Sequence, residues 1–205
     1  MKAHTQPRVT YTYAEYRSLM EQLVAEKRTT GPNQSDAFVH YTVMNDRRMN
    51  RLDRTAKLMP ELESVVQSVD RNYTFLILTE AWCGDAAQNI PLFQKIAEAN
   101  PKFRVRLVLR DENLDLMDEH LTNGGRSIPK VLVIDDASQE VMGTWGPRPA
   151  HAQKMVLDYK AIPAEERPPY SEFVVEVQKW YNADKTISSQ TELLQLLNET
   201  IHAPA

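Results

Sequence analysis

The spacing of three segments in the middle of the chain restricts the fold more than any other feature. The run Tyr73–Thr79 is almost continuously apolar and rich in β-formers, which predicts a strand covered on both faces. An amphipathic segment follows from about residue 85 to 99, and a second β-rich run extends from Phe103 to Leu109. Strand, helix and strand at this spacing predict a βαβ unit with parallel strands.

The segments after Leu109 predict an α/β core that ends near Tyr159. We expect a short acidic helix from about residue 114 to 121 and a helix from about 150 to 159. Between them, strands at 130–134 and 141–145 flank the turn-forming residues 135–138, which favours an antiparallel hairpin. The order from Tyr73 to Tyr159 is therefore β-α-β-α-β-β-α.

Both ends of the chain show helical periodicity. Three helices are predicted at about 13–27, 37–58 and 60–69, and an apolar stripe at 173–181 predicts another. The spacing of Ser189 and Glu192 predicts a capping box that opens a last helix. We expect one domain over residues 1–205, with a helical N-terminal extension (1–70), a core (71–160) and a helical C-terminal extension (161–205).

Composition excludes several classes of partner. The chain has 205 residues, 42% of them hydrophobic, and a net charge of −4, so it has no general attraction to nucleic acid or anionic lipid. A basic ridge at Arg47, Arg51 and Arg54 is typical of a solvated helix face. No apolar stretch approaches the ~20 residues that span a bilayer. We therefore expect a cytoplasmic protein with no nucleic-acid or membrane partner.

Cys83 is the only cysteine of the chain, at the junction of a predicted strand and a predicted helix. The first turn of a helix favours a thiolate, whereas the carboxylate of Asp85 opposes it, and at ~6 Å the two effects are of similar size. This predicts a moderately reactive thiol. The alternative is that Cys83 is a small buried residue of the core.

Two carboxylates lie near Cys83 in the sequence. Asp85 is either a residue that accepts backbone N–H bonds in the first helical turn or a general base that moves the proton of Cys83. Glu80 is either a second proton-handling carboxylate or a solvated loop charge, and the sequence favours the loop charge. Trp82 and Trp145 are candidates for groove walls, although a core of this size also accounts for two buried tryptophans.

Several motifs resemble those of a known superfamily. Trp82-Cys83-Gly84 ahead of a helix resembles the active turn of thioredoxins, Trp-Cys-x-x-Cys, and Ser127-Ile128-Pro129-Lys130 resembles their cis-proline segment. The strings at 30–35, 80–89, 109–117 and 143–149 are similar to those of a bacterial thioredoxin-like family whose members carry Trp-Cys-Gly-Asp-Ala. The resemblance implies a thioredoxin-like fold, with a central mixed sheet, flanking helices and helical extensions at both ends.

The resemblance also implies a ligand site. In this fold the backbone of Ile128, beside Pro129, pairs with an extended peptide or a glutathione-like ligand, which places Trp82, Gly84 and Arg126 around the substrate. Arg126 either holds a ligand carboxylate or forms a salt bridge, for which Asp111, Glu112 and Asp115 are the predicted partners.

Two functional classes follow. Ala86 stands where thioredoxins have their second cysteine, so an intramolecular dithiol cycle is excluded. The first class is a monothiol redox protein that exchanges with a low-molecular-weight thiol or a protein disulfide and is resolved by an external thiol. The second is a non-catalytic binding or adaptor module. The histidines are scattered, so no metal or cofactor is expected, and a homodimer is left open.

Overall fold

The computed structural model describes residues 6–201. Eight α-helices and four strands follow one another in this part of the chain, together with a 3-10 turn at Arg110–Glu112 between β2 and α5. The elements in order are α1 (Tyr13–Ala25), α2 (Asp36–Thr55), α3 (Pro60–Ser68), β1 (Tyr73–Thr79), α4 (Gly84–Ala99), β2 (Phe103–Leu109), α5 (Leu114–Asp118), β3 (Lys130–Asp135), β4 (Val141–Trp145), α6 (Ala150–Ala161), α7 (Tyr170–Asp184) and α8 (Ile187–Ile201).

The strands form one mixed sheet in the order β2-β1-β3-β4. β1 pairs in parallel with β2, with Tyr73 opposite Phe103, and antiparallel with β3. β3 and β4 form the predicted antiparallel hairpin. The carboxyl end of β1 therefore lies beside the start of β3, and this brings Cys83 close to Ile128. The thioredoxin-like fold class predicted from the sequence is confirmed.

The core lies on both faces of β1 and β3. Phe75 and Phe103 stack at 5.2 Å between ring centroids, and Phe75 also meets Phe93 of α4 edge to face at 5.2 Å. Burial of a large apolar side chain is worth about 1.5–3 kcal/mol, so this aromatic cluster fixes α4 firmly on the sheet. The position of Cys83 at the first turn of α4 depends on that packing.

The N-terminal helices pack on the core as predicted. Tyr16 and Met20 of α1 and Met49 of α2 are fully buried, which explains the helical spacing of these apolar residues. α2 runs along α4. It thereby places its polar face, including Asn45 and Arg48, next to the first turn of α4.

The capping box predicted at Ser189 is wrong. α8 begins at Ile187, and Ser189 lies buried inside it, with its hydroxyl donating to Oδ1 of Asn89 at 2.6 Å. Glu192 instead accepts from Nε1 of Trp145 at 2.8 Å and from the backbone N–H of Ala150 at 2.6 Å. Contacts with other elements have overridden the local capping pattern.

The helices α6 and α7 form a second, smaller cluster. Ala152, Val177 and Tyr181 are buried together, apart from the main core. Polar bonds connect α7 to α4, with Gln88 donating to Gln178 at 2.8 Å. Within residues 6–201, none of the helices combines the length and the apolar character that a membrane span needs.

Candidate functional site

Cys83 is the N-cap residue of α4, one turn after β1 ends. Its Sγ accepts the backbone N–H of Ala86 at 3.5 Å and donates to the carbonyl oxygen of Ile128 at 3.3 Å. The Ile128-Pro129 peptide bond is cis. The thiol therefore lies between the first turn of α4 and the segment before β3.

The turn that carries Cys83 is anchored by helix α2 and the loop before it. The backbone N–H of Ala81 donates to Oγ1 of Thr30, and the side-chain amide of Asn45 donates to the carbonyl oxygen of Ala81, both at 2.8 Å. These partners lie in the N-terminal extension. The extension therefore holds the turn that carries Cys83 in place as well as covering the core.

The thiol is almost completely desolvated, with 7% of Cys83 exposed. Burial, followed by the charge of Asp85, raises its pKa from a usual value of 9.0 to about 12, while the N–H of Ala86 and the cation of Arg148 act in the opposite direction. The sequence predicted a balance between the helix terminus and Asp85. The dominant effect is instead desolvation, which a one-dimensional pattern does not contain.

Asp85 forms the centre of a polar network. Its Oδ2 accepts Nε and Nη2 of Arg148 at 2.9 and 2.7 Å, and its Oδ1 accepts the hydroxyl of Tyr181 at 2.8 Å. This carboxylate therefore bridges the loop after β4 and helix α7. Asp85 was a predicted site residue, but neither Arg148 nor Tyr181 was predicted as its partner, because both are distant along the chain.

Glu80 is buried, contrary to the predicted solvated loop charge. Its Oε1 accepts the backbone N–H of Asp111 at 2.8 Å, and burial raises the pKa of this carboxyl. Gly31 lies against the same pair with a φ of +76°, and a Cβ at this position would stand 2.5 Å from Oδ2 of Asp111. Glu80 thus ties the end of β1 to the loop after β2.

The two tryptophans separate. Trp82 packs against the ring of Phe38 and the guanidinium of Arg110. The Phe38 ring centroid and Cζ of Arg110 each lie 5.0 Å from the centroid of the Trp82 ring. Trp145 is not a groove wall, because it packs 5.8 Å from Phe93 on the core side of the sheet.

Arg126 lies exposed near the start of β3, next to Ser127. It is paired with Asp118, through Nε at 2.6 Å and Nη2 at 2.7 Å. None of the three predicted carboxylates is its partner, because the short α5 ends at Asp118 and turns that side chain toward the 126 loop.

The basic ridge on α2 divides. Arg47 and Arg54 are exposed, as expected for a solvated face. Arg51 donates to Gln88 at 3.3 Å, and Arg48 donates to Oδ1 of Asn45 at 2.6 Å. Arg48 thereby lies close to Gly84, where a Cβ would be 3.6 Å from its Nη1.

A cleft of about 650 Å³ opens above Cys83. Its floor is formed by Cys83, Gly84 and Ile128, all predicted site residues, and Trp82 and Arg126 line its sides. One wall comes from α2 and the other from α6 and α7. The sequence did not predict that side chains of α6 and α7 line the cleft, because only the tertiary fold brings these helices over the thiol.

The described residues offer no metal centre. Within 6–201, no group of three or more His, Cys, Asp or Glu side chains is arranged to hold a metal ion. His4 and His202, two of the scattered histidines, lie outside the described residues.

Comparison with known proteins supports the fold. The model of one family, described as Thioredoxin, matches residues 31–165. A protein of unknown function from Pseudomonas aeruginosa is similar in structure, with 19% identity, a TM-score of 0.56, and coverage of 92% of this chain and 98% of the other. An HIV epitope scaffold is similar with 18% identity, a TM-score of 0.54, and coverage of 95% and 100%. The curated proteins contain no match.

Proposed function

This chain belongs to the thioredoxin family, and from that premise we propose that it carries out monothiol thiol–disulfide exchange at Cys83. The observation that carries the proposal is the position of the thiol. Sγ of Cys83 lies on the floor of the cleft, 3.3 Å from the carbonyl oxygen of Ile128 and within reach of the N–H of Ala86. A ligand that enters the cleft thus meets the sulfur beside a helix N-terminus, which stabilises a thiolate.

The reaction has two steps. In the first, the Cys83 thiolate attacks one sulfur of a bound disulfide, a new S–S bond forms to Cys83, and the other sulfur leaves as a thiolate that takes up the proton lost by Cys83. In the second, an external thiolate attacks the substrate sulfur of the mixed disulfide, forms a disulfide with it and releases Cys83 as a thiolate. These two steps exchange one partner of the disulfide, and a second external thiol completes its two-electron reduction to two thiols. The chain has no other cysteine, so the second step is always intermolecular.

Burial sets the speed of this chemistry. A rise in the pKa of Cys83 from 9.0 to about 12 strongly lowers the thiolate fraction at neutral pH. The more basic thiolate is a better nucleophile, which recovers only part of this loss. Exchange at Cys83 is then slower than at an ordinary exposed thiol. Binding in the cleft, which raises the effective concentration of a disulfide, has to supply the selectivity.

A second candidate is a non-catalytic binding module. The low exposure of Cys83 favours it, because a free cysteine with 7% exposure is typical of a packing residue. In that case the cleft binds a partner and Cys83 only fills the space below it.

Mass spectrometry of the native protein separates the two candidates. Incubation with excess glutathione disulfide is expected to add one glutathione at Cys83, removed again by free glutathione, while Cys83→Ser stays unmodified. If wild-type Cys83 is modified only after denaturation, monothiol exchange is wrong and the binding module remains. The proposal includes a reducing compartment such as the cytoplasm, because a supply of external thiol is required for the second step.

A further inference from the structure

We propose that the cleft above Cys83 selects a small anionic ligand that carries a planar ring. The monothiol function proposed above would make this ligand a disulfide, but the binding itself needs no reactive sulfur. The inference depends on the charges and the aromatic rings that line the cleft.

The charge of the cleft is opposite to that of the chain. Six cationic side chains line it, and Asp85 is its one carboxylate among the described residues; the six are Arg48, Arg110, Arg126, Arg148, Lys160 and Arg167. The whole chain has a net charge of −4. Cations gathered in a concave site raise the local concentration of anions. The concentration of positive charge here is a property of the cleft and not of the composition.

Three of these six cations already form an ion pair with a carboxylate. Arg148 is paired with Asp85, Arg126 with Asp118 and Arg110 with Asp111. The pairs of Arg148 and Arg110 are largely withdrawn from water and orient their guanidinium groups, whereas the Arg126–Asp118 pair is about half-exposed.

The other three cations have no carboxylate within salt-bridge distance in residues 6–201. Arg48 donates to Asn45, and Arg167 donates to the carbonyl oxygens of Lys160 and Ile162. Burial lowers the pKa of Arg48, because the charged guanidinium has lost part of its hydration. A bound anion would offset this loss. Arg48 comes from α2, whereas Lys160 and Arg167 come from the opposite wall. An anion between the walls would therefore be approached from two sides.

Aromatic rings line the same space. Tyr159 stacks on Phe173 at 4.2 Å, and Tyr170 lies 6.1 Å from each of them. Tyr170 is 63% exposed, although its ring belongs to an aromatic cluster. On the facing wall, Phe38 packs on Trp82. Among these rings only that of Tyr170 is exposed and open to a ligand. Aromatic rings beside guanidinium groups are typical of sites that stack a planar, negatively charged group.

The volume points to a small molecule. A cleft of about 650 Å³ lies in the range of ~300–1,000 Å³ found for small-ligand sites. Walls on both sides leave a slot and not an open face, which disfavours a folded protein as the occupant. An acidic peptide is the competing occupant and is included in the test.

The test uses Cys83→Ser, in which exchange is impossible and calorimetry reports binding alone. The probes are 5,5′-dithiobis(2-nitrobenzoate), which has charged rings, and 4,4′-dithiodipyridine, which has neutral rings. We expect the anionic probe to bind at least about tenfold more tightly at low salt, with the difference shrinking as salt is added. Equal affinities, or a difference that is insensitive to salt, would overturn the proposal.

Two disulfides of equal charge test the ring. 5,5′-Dithiobis(2-nitrobenzoate) carries its two carboxylates on planar rings, whereas 3,3′-dithiodipropionate carries two carboxylates and no ring. Tighter binding of the aromatic disulfide supports the proposal, and equal or tighter binding of 3,3′-dithiodipropionate contradicts it. A short poly-glutamate peptide that binds more tightly than every small probe would also contradict it, in favour of a peptide site.

Charge variants locate the site. Lys160→Gln in the Cys83→Ser background is expected to weaken the anionic probe about two- to fivefold, and Lys160→Arg to keep its affinity. Lys154→Gln is the matched control, since Lys154 lies on the same helix but pairs with Asp158 away from the cleft. Equal losses for Lys160→Gln and Lys154→Gln would place the anion elsewhere. Selective binding without exchange in the wild type would refute the monothiol function alone.

Discussion

Arg148 donates two hydrogen bonds to a single carboxylate oxygen of Asp85, at 2.9 and 2.7 Å, although the two residues are far apart in the sequence. Each side chain is 15% exposed, so the pair is largely withdrawn from water next to the Cys83 thiol. The cation screens the thiol from the negative charge of Asp85. The pKa of Cys83 therefore depends on a residue in the loop after β4 as well as on its own helix.

Replacing Asp85 with Asn should lower the pKa of Cys83. The substitution removes a negative charge that raises this pKa and leaves the cation of Arg148 without its partner, which lowers it further. The rate of alkylation by iodoacetamide at pH 8 should increase several-fold, and Cys83→Ser, which has no thiol, is the control. An unchanged rate of alkylation would show that Asp85 has no electrostatic effect on the thiol.

Replacing Tyr181 with Phe should destabilise the protein by about 1–2 kcal/mol. The hydroxyl donates to Oδ1 of Asp85 at 2.8 Å in a buried position, and its loss leaves that carboxylate oxygen without a donor. The same substitution at Tyr170, on the same helix but 63% exposed, should change the stability by less than about 0.5 kcal/mol. Urea unfolding of the two variants measures the difference, and equal effects would contradict it.

The contribution of Cys83 to stability should decrease above pH 9. The folded-state pKa of about 12 lies above the usual value of 9.0, so between these values the unfolded chain loses a proton that the folded chain retains. The stabilisation is complete below pH 9 and is lost as the pH rises toward 12, by up to ~1.4 kcal/mol per pH unit. The difference in the free energy of unfolding between wild type and Cys83→Ala, measured in urea at pH 8 and at pH 10, isolates the contribution of Cys83. The tyrosines titrate in both proteins, so their effect cancels. A constant difference would indicate an exposed thiol.

The strands were predictable because their signals are local. Tyr73–Thr79 is an almost continuously apolar run and Phe103–Leu109 is a β-rich run, each between turn-forming residues, and the structure has the same bounds. The network around Asp85 was not predictable, because Arg148 and Tyr181 reach it only when α6 and α7 fold back over α4. No periodicity or motif records that contact.

The failed capping box at Ser189 has the same cause. A Ser three residues before a Glu is a sound local signal, but the buried hydroxyl of Ser189 finds its partner in Asn89 of α4. Glu80 was misjudged for a related reason, since its burial results from the loop after β2 closing over it. Local patterns identify elements and turns, whereas the burial of polar groups is decided by tertiary packing.

Gly31 and Gly124 form a matched pair for measuring the close approach of Gly31 to Asp111. Both have positive φ, +76° and +74°, but a Cβ at Gly31 would meet Asp111 at 2.5 Å while one at Gly124 would meet nothing within 4 Å. Gly124→Ala should cost about 1–2 kcal/mol from the backbone alone. Gly31→Ala should cost more, by about 1–2 kcal/mol, because the Asp111 side chain must move. Equal unfolding free energies for the two variants would show that the Asp111 side chain moves aside without a measurable loss of stability.

Replacing Ala86 with Cys should convert the monothiol turn into a dithiol turn. Ala86 is buried one helical turn after Cys83, and its N–H already points at the Cys83 sulfur, so a sulfur on Cβ would lie on the same side of the helix terminus. Attack by this second thiol on a mixed disulfide at Cys83 would release the substrate within the same chain. Insulin reduction with dithiothreitol should therefore be near the background rate for the wild type and clearly above it for Ala86→Cys, whereas Ala86→Ser, of similar size, should remain at background. Mass spectrometry should also find the oxidised Ala86→Cys variant two mass units lighter than its reduced form.

The geometry of the turn is tested by that disulfide. If it does not form under oxidising conditions although the variant is folded, the turn does not have the geometry of a working thioredoxin site, and monothiol exchange at Cys83 loses its structural basis.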